Sequence, residues 1–273
     1  MPELPEVETI VRKLRRIVVG KTVSEIRLSG LPLRRPMEKS FAGVLRGRRI
    51  SGILRRGKYI VVRLEPHAFW LIHLGMSGRV LYRPGAATVT RHTHAVIRFS
   101  DGSALEYNDP RRFGLLAAHE ARSLRELPEL TSLGRDPLGP GFSSVWLLSA
   151  LRATRRDVKA FLLDQNMIAG LGNIYVCEAL FHARIHPARI CNRISGEEAE
   201  LLVRAVRKVL RRAIANHGTT FSDFAASDGE PGANQRYLRV FQREGLRCRR
   251  CRGMISRLRQ GNRSSYYCPG CQH

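Results

Sequence analysis

The residues best suited to chemistry stand at the start of the chain, Met1-Pro2-Glu3-Leu4-Pro5-Glu6-Val7-Glu8. Initiator methionine is usually removed before a small residue, and removal here leaves Pro2 as a secondary amine beside Glu3. An α-amino group has a reference pKa of about 7.7 to 8.0 against roughly 10.4 for lysine, so far more of it is neutral and nucleophilic near pH 7. Amines that attack a sugar or carbonyl carbon form Schiff bases, a standard route of covalent catalysis. A secondary amine yields an iminium that cannot shed its charge by losing a nitrogen proton, so it remains an electron sink for elimination. Proline and acidic residues here also suit the plain start of a helix, and the rest of the chain must decide.

A second chemical cluster lies at the other end. Cys248, Cys251, Cys268 and Cys271 form C-x2-C-x16-C-x2-C. Paired knuckles of this spacing predict a zinc ribbon, because four thiolates close tetrahedrally around Zn²⁺ and leave no open position, which makes the metal structural. Disulfides fit poorly with two such knuckles in a chain expected to be cytosolic. Cys177 and Cys191 stand singly in or beside helical patterns and read as inert packing residues.

The 47 lysines and arginines, only six of them lysine, outweigh 23 acids and give a net charge of +24. Basicity at this level predicts a polyanionic partner, most simply a nucleic acid, since phosphate contacts release counterions and dominate affinity. An arginine-rich proteome explains arginine over lysine but not the excess over acids. No run of apolar residues reaches membrane-spanning length, and carboxylates stand where a signal peptide would carry cations. A soluble cytoplasmic protein is expected.

The elements that must position these groups change character along the chain. Val7, Ile10, Val11, Leu14, Ile17 and Val18 fall at helical spacing before Gly20, predicting a helix over 6–19. Short β-rich runs at 23–28, 49–54, 59–64, 70–74, 95–99 and 104–107 predict a sandwich or barrel. Pro137-Leu138-Gly139-Pro140-Gly141 reads as an interdomain linker. Helices are expected near 144–153, 157–165, 173–182 and 196–217, the last with Ser195 and Glu198 as a capping box. The polar stretch 218–235 reads as a loop. The resulting division is a domain of helix plus β-sandwich over 1–135, a linker over 136–143, a helical domain with that loop over 144–236, and a ribbon over 237–273.

Six motifs in order then carry a resemblance across essentially the whole chain: Pro2-Glu3-Leu4-Pro5-Glu6-Val7-Glu8, Arg56-Gly57-Lys58-Tyr59, His73-Leu74-Gly75-Met76-Ser77-Gly78, Asn108-Asp109-Pro110-Arg111-Arg112-Phe113-Gly114, Ala169-Gly170-Leu171-Gly172-Asn173-Ile174-Tyr175 and the C-terminal ribbon. Together they resemble bacterial formamidopyrimidine-DNA glycosylases of the endonuclease VIII-like superfamily. The resemblance implies an α+β protein: an N-terminal helix plus β-sandwich, then a helix-two-turn-helix domain with a zinc ribbon, with a DNA cleft between them. It implies a bifunctional DNA glycosylase and AP lyase of base excision repair, acting as a monomer on duplex DNA that contains 8-oxoguanine or formamidopyrimidines. Pro2 would attack C1′ and drive β,δ-elimination, Glu3 would be the general acid, and Glu6 would order water and the N-terminus. Lys58 would be a catalytic or lesion-proximal phosphate contact.

Base excision from a duplex requires nucleotide flipping, which costs roughly a few kcal/mol and is offset by side chains that fill the hole. By resemblance these are Met76 as an adaptable filler, Phe113 as a wedge and Arg111 as the donor to the orphaned cytosine, whose exposed edge offers two acceptors. Lys159 and Asn173 would bind phosphate beside the glycine-containing turn, His92 would touch the DNA backbone, and Arg263 on the ribbon would reach the phosphates flanking the lesion. The loop over 218–235 would cap the lesion. A sister enzyme of endonuclease VIII type and a non-catalytic zinc-ribbon DNA-binding protein are the competing readings. The first lacks this N-terminal run and the Met76, Arg111, Phe113 set; the second leaves Pro2, Glu3 and Lys58 unexplained.

Overall fold

The computed structural model describes residues 2–85, 87, 89–219 and 232–273. Most of the stretch expected to form the lesion loop, 220–231, lies outside the described residues. The chain divides into two compact units, Met1–Thr131 with Asn216–Ala233, and Ser132–Ala215 with Asn234–His273.

In the first unit, α1 (Leu4–Val18) is followed by β1 (Val23–Leu28), α2 (Phe41–Leu45), β2 (Arg49–Arg56), β3 (Tyr59–Glu65), β4 (Ala68–His73), β5 (Arg79–Arg83), β6 (Thr93–Phe99), β7 (Ala104–Asn108), β8 (Leu115–Glu120) and α3 (Pro128–Thr131). The strands form two four-stranded antiparallel sheets, ordered β1-β6-β7-β5 and β2-β3-β4-β8, the sandwich expected from the short, turn-punctuated runs. Val7, Ile10, Val11, Leu14 and Val18 recur every three or four residues, so one stripe of α1 joins a core shared with Ile50, Val62, Trp70, Ile97 and Phe99. The helix starts two residues before the expected Glu6. Pro5 lacks a donor that the first turn would leave unpaired anyway, and Glu3 with Glu6 closes a capping box.

The second unit contains α4 (Ser144–Arg152), α5 (Val158–Leu163), α6 (Asn173–Ala183), α7 (Gly196–Ala215) and the ribbon hairpin of β9 (Ser256–Gln260) and β10 (Arg263–Tyr267). The capping box at Ser195 and Glu198 is present, with Ser195 N–H to Glu198 Oε2 at 2.8 Å and Glu198 N–H to Ser195 Oγ at 3.1 Å. Residues 136–143 differ from the expected free linker: Phe142 is fully buried, and Arg207 of α7 donates to the carbonyls of Gly139 and Phe142. This stretch folds with the helical unit.

Candidate active site

The start of α1 is organised by Glu6, a buried carboxylate whose two oxygens do different work. Oε2 accepts from the Glu3 backbone N–H at 2.8 Å, and Oε1 accepts from the Thr219 N–H at 2.8 Å. The start of α1 is thereby fastened to the segment that follows α7. Gly218 is required at that junction, because its φ is +83° and a Cβ there would meet Glu6 Oε1 at 2.9 Å. Pro2, Glu3 and Glu6 are all buried. Glu3 sits at the N-cap of α1, so its carboxylate is held at the positive end of the helix beside residue 2.

Lys58 occupies the turn between β2 and β3 and is buried. Glu8 of α1 ties that turn to the N-terminal helix: Oε1 accepts from Arg12 Nε at 2.9 Å and Oε2 from Arg55 Nε at 3.0 Å, while Arg55 Nη1 reaches the Gly57 carbonyl at 3.3 Å. His73 lies near the same turn. Burial first, then the positive charges of Lys58 and Arg34, push its pKa down to about 4. Its Nδ1 accepts from the Gly75 N–H at 3.1 Å.

The three residues read as hole fillers come together in the structure. Met76 and Phe113 are 39% and 48% exposed, high for apolar side chains, and the Arg111 guanidinium stacks over the Phe113 ring at 4.8 Å. Their loops are held by Asp109, whose role the sequence reading missed. Asp109 is fully buried; Oδ1 accepts from Ser77 Oγ at 2.6 Å and from the Arg111 N–H at 3.3 Å, and Oδ2 accepts from the Gly114 N–H at 2.8 Å. The two loops approach so closely that a Cβ on Gly75, where φ is +60°, would fall 2.4 Å from the Phe113 carbonyl carbon. His92 sits in the turn before β6, its carbonyl accepting from the Asp109 N–H at 2.9 Å.

In the second unit Lys159 and Asn173, read as phosphate ligands, both turn onto the ribbon hairpin. Lys159 is 1% exposed; its Nζ donates to the Ser264 carbonyl at 3.1 Å and to Ser265 Oγ at 2.5 Å. Asn173 Nδ2 donates to the same carbonyl at 2.9 Å. Burial lowers the Lys159 pKa, with Arg263 adding to the effect against Cys177. Both side chains brace β10, and the exposed cation at this place is Arg263, at its first position. The partners of Lys159 lie about a hundred residues along the chain, so its neighbouring sequence does not announce this contact. The turn before α6 is organised by Gln165, which donates to the Leu163 and Leu171 carbonyls and accepts from the Gly170 N–H at 2.9 Å.

The four ribbon cysteines place their sulfurs within 4.8 Å of one another. Tetrahedral Zn–S bonds of about 2.3 Å require S···S separations of roughly 3.8 Å. The Cys251–Cys268 and Cys248–Cys271 separations of 3.4 and 4.0 Å bracket that value. The donor set fits one structural zinc. Glu178 of α6 anchors the approach to the ribbon, accepting from the Arg239, Val240 and Phe241 N–H groups at 2.9 to 3.0 Å. Cys191 is fully buried and burial pushes its thiol up to about 11, as an inert packing residue requires.

Comparison with known proteins resolves the family. The profile of the formamidopyrimidine-DNA glycosylase N-terminal domain matches residues 1–116, that of the H2TH domain matches 133–225, and that of the zinc finger found in FPG and IleRS matches 245–273. The chain is 43% identical over its full length to the formamidopyrimidine-DNA glycosylase of Novosphingobium aromaticivorans, itself fully covered. It belongs to the formamidopyrimidine-DNA glycosylase family. Among solved structures, the MutM (Fpg) protein of Thermus thermophilus superposes with a TM-score of 0.89 at 40% identity, covering 99% of this chain and 98% of that one. The Lactococcus lactis Fpg in complex with abasic-site DNA gives 0.89 at 31% identity, covering 99% of each chain. Family membership accounts for the α+β order of sandwich, helical domain and ribbon, and identifies a DNA repair glycosylase. No helix among the described residues is long and apolar enough to cross a membrane.

Proposed function

We propose that this chain excises oxidised purines, chiefly 8-oxoguanine and formamidopyrimidines opposite cytosine, from duplex DNA and then cuts the strand at the emptied sugar. The observation that carries the reading is the buried Glu3 at the helix start beside residue 2, with its backbone fixed by Glu6. The residue-2 amine attacks C1′, the glycosidic bond breaks, and the base leaves with the proton that the amine gives up. Glu3 protonates the ring oxygen as the C1′–O4′ bond opens, leaving an iminium. Loss of the C2′ proton expels the 3′ phosphate, loss of the C4′ proton expels the 5′ phosphate, and water hydrolyses the iminium to free the amine. Lys58 stands near the lesion phosphates and assists these eliminations.

Met76, Arg111 and Phe113 fill the space of the flipped nucleotide, with Arg111 donating to the orphaned cytosine. His92 and Arg263 contact the DNA backbone, while Lys159 and Asn173 shape the hairpin that presents Arg263. Bound by Cys248, Cys251, Cys268 and Cys271, zinc supplies folding energy to the ribbon and no reaction chemistry. Catalysis is assigned to the first unit and duplex anchoring to the second, in a monomer that works in the cytoplasm on the nucleoid.

Borohydride added during turnover of 8-oxoguanine duplex tests the nucleophile. Processed protein should yield a covalent protein–DNA adduct that peptide mapping places on residue 2. Protein with an uncleavable N-terminal extension should bind DNA but trap nothing. Efficient trapping by the extended protein, or an adduct on Lys58 in the processed one, would overturn the assignment.

A further inference from the structure

Arg263 follows the two-residue turn of the ribbon hairpin and is paired in register with Gln260. A cavity of about 480 Å³ opens beside this turn, lined by Asp157, Lys159, Leu163, Gln260 and Arg263 among others. Apolar packing therefore does not fix the tip on that side.

Hydrogen bonds do. Gln260 Nε2 donates to Asp157 Oδ2 at 3.0 Å and to the Pro187 carbonyl at 3.2 Å, and Gln260 Oε1 accepts from the Ser265 hydroxyl. Ser265 Oγ in turn accepts from Lys159 Nζ. The amide can stand only this way round, since a flip would set its carbonyl against a carboxylate and a second carbonyl. Asp157 is the N-cap residue of α5, a position where aspartate ordinarily accepts from the first-turn N–H groups. Its side chain makes no such cap. It reaches 103 residues along the chain to Gln260 instead.

We infer that Asp157 and Gln260 form a latch that positions Arg263, by fixing its register partner against α5 and so aiming the guanidinium at a phosphate beside the lesion. The latch rests on the reading of Arg263 as a phosphate contact. Without it the tip is free to swing toward the cavity, and Arg263 engages for a smaller fraction of the time. Gln260 and Asp157 are positioning residues that touch no substrate.

A double-mutant cycle on zinc-loaded, full-length protein separates this from a merely structural role. The measurement is the single-turnover rate of strand cleavage at a pre-formed abasic site, with zinc content and Tm recorded for each variant. Gln260→Ala should slow cleavage roughly five- to tenfold in the wild-type background and less than about twofold in the Arg263→Ala background, because contacting residues in one network are non-additive. Asp157→Ala should reproduce the Gln260→Ala loss, and Asp157→Asn, which keeps an acceptor oxygen, should restore a rate near wild type. Asp157→Ala carries the test if Gln260→Ala loses zinc, since it leaves the ribbon sequence intact. Equal losses from Gln260→Ala in both backgrounds would overturn the latch. An Arg263→Ala protein that cleaves like wild type would overturn the reading of Arg263 itself.

Discussion

His73 is a histidine that the fold keeps neutral. Burial and the cations Lys58 and Arg34 hold its pKa at about 4, against an ordinary 6.5. Between those values the unfolded chain takes up a proton that the folded chain refuses, so stability present above pH 6.5 is lost as pH falls toward 4. His182, also brought to about 4 by burial and neighbouring arginines, acts in the same direction. Thermal melting of the DNA-free protein should therefore show Tm falling as pH is lowered from 7 to 4.5. His73→Gln, which retains an acceptor for the Gly75 N–H, should flatten part of that fall. A melting profile of His73→Gln parallel to wild type across this range would show that His73 does not carry the linkage. The same residue shows why side-chain protonation was not legible in the sequence: the charges that depress it come from the β2–β3 turn and the β1–α2 segment.

At the level of elements, the ribbon and the helices behind it form one mechanical piece. The Gln272 side chain accepts from the Cys268 N–H at 2.8 Å and donates to the Ile185 carbonyl at 2.9 Å, and Glu178 gathers the backbone of 239–241. The ribbon has few buried apolar residues of its own, and Cys248, Ile255, Cys268 and Cys271 pack against Cys177 and Phe181 of α6. Structural zinc in finger peptides contributes roughly 10 to 16 kcal/mol of apparent binding free energy, so chelation should unfold the ribbon. Cys268→Ser should lower zinc content and weaken DNA binding while circular dichroism of the sandwich and trapping competence at high DNA concentration persist. Full activity in protein shown by metal analysis to hold no zinc would refute this.

Elements with strong periodicity were legible in the sequence. β1 falls on the predicted residues, and the capping box at Ser195 marks the start of α7. α2, β5 and β8 were not, because Phe41-Ala42-Gly43-Val44-Leu45 is too short for a helical period and Leu115-Leu116-Ala117-Ala118-His119-Glu120 lacks β-branched residues. The chemistry at the two ends was legible for a different reason: an N-terminal proline beside glutamate and paired cysteine knuckles are local signals. Asp109 and Gln260 act through partners 32 and 103 residues distant, and nothing in their flanking sequence announces those partners.

For the molecule as a whole, charge sets how it meets DNA. A net charge of +24 ensures attraction to any duplex, but only cations that contact phosphates release counterions on binding. A footprint of six to ten phosphates would lower affinity for undamaged duplex by about 10³ to 10⁵ between 50 and 200 mM salt. The slope of log affinity against log salt then discriminates among the side chains. Arg263→Ala should make it shallower by about one contact, whereas Met76→Ala should leave it unchanged, because an apolar filler displaces no counterion. Gln260→Ala should fall between them, since the latch lowers the fraction of time Arg263 engages without removing its charge. Titrations over four salt concentrations, on duplexes with and without an abasic site, measure all three. Identical slopes for wild type and Arg263→Ala would mean that the hairpin cation faces solvent in the complex, and the duplex would then be anchored by other arginines of this chain.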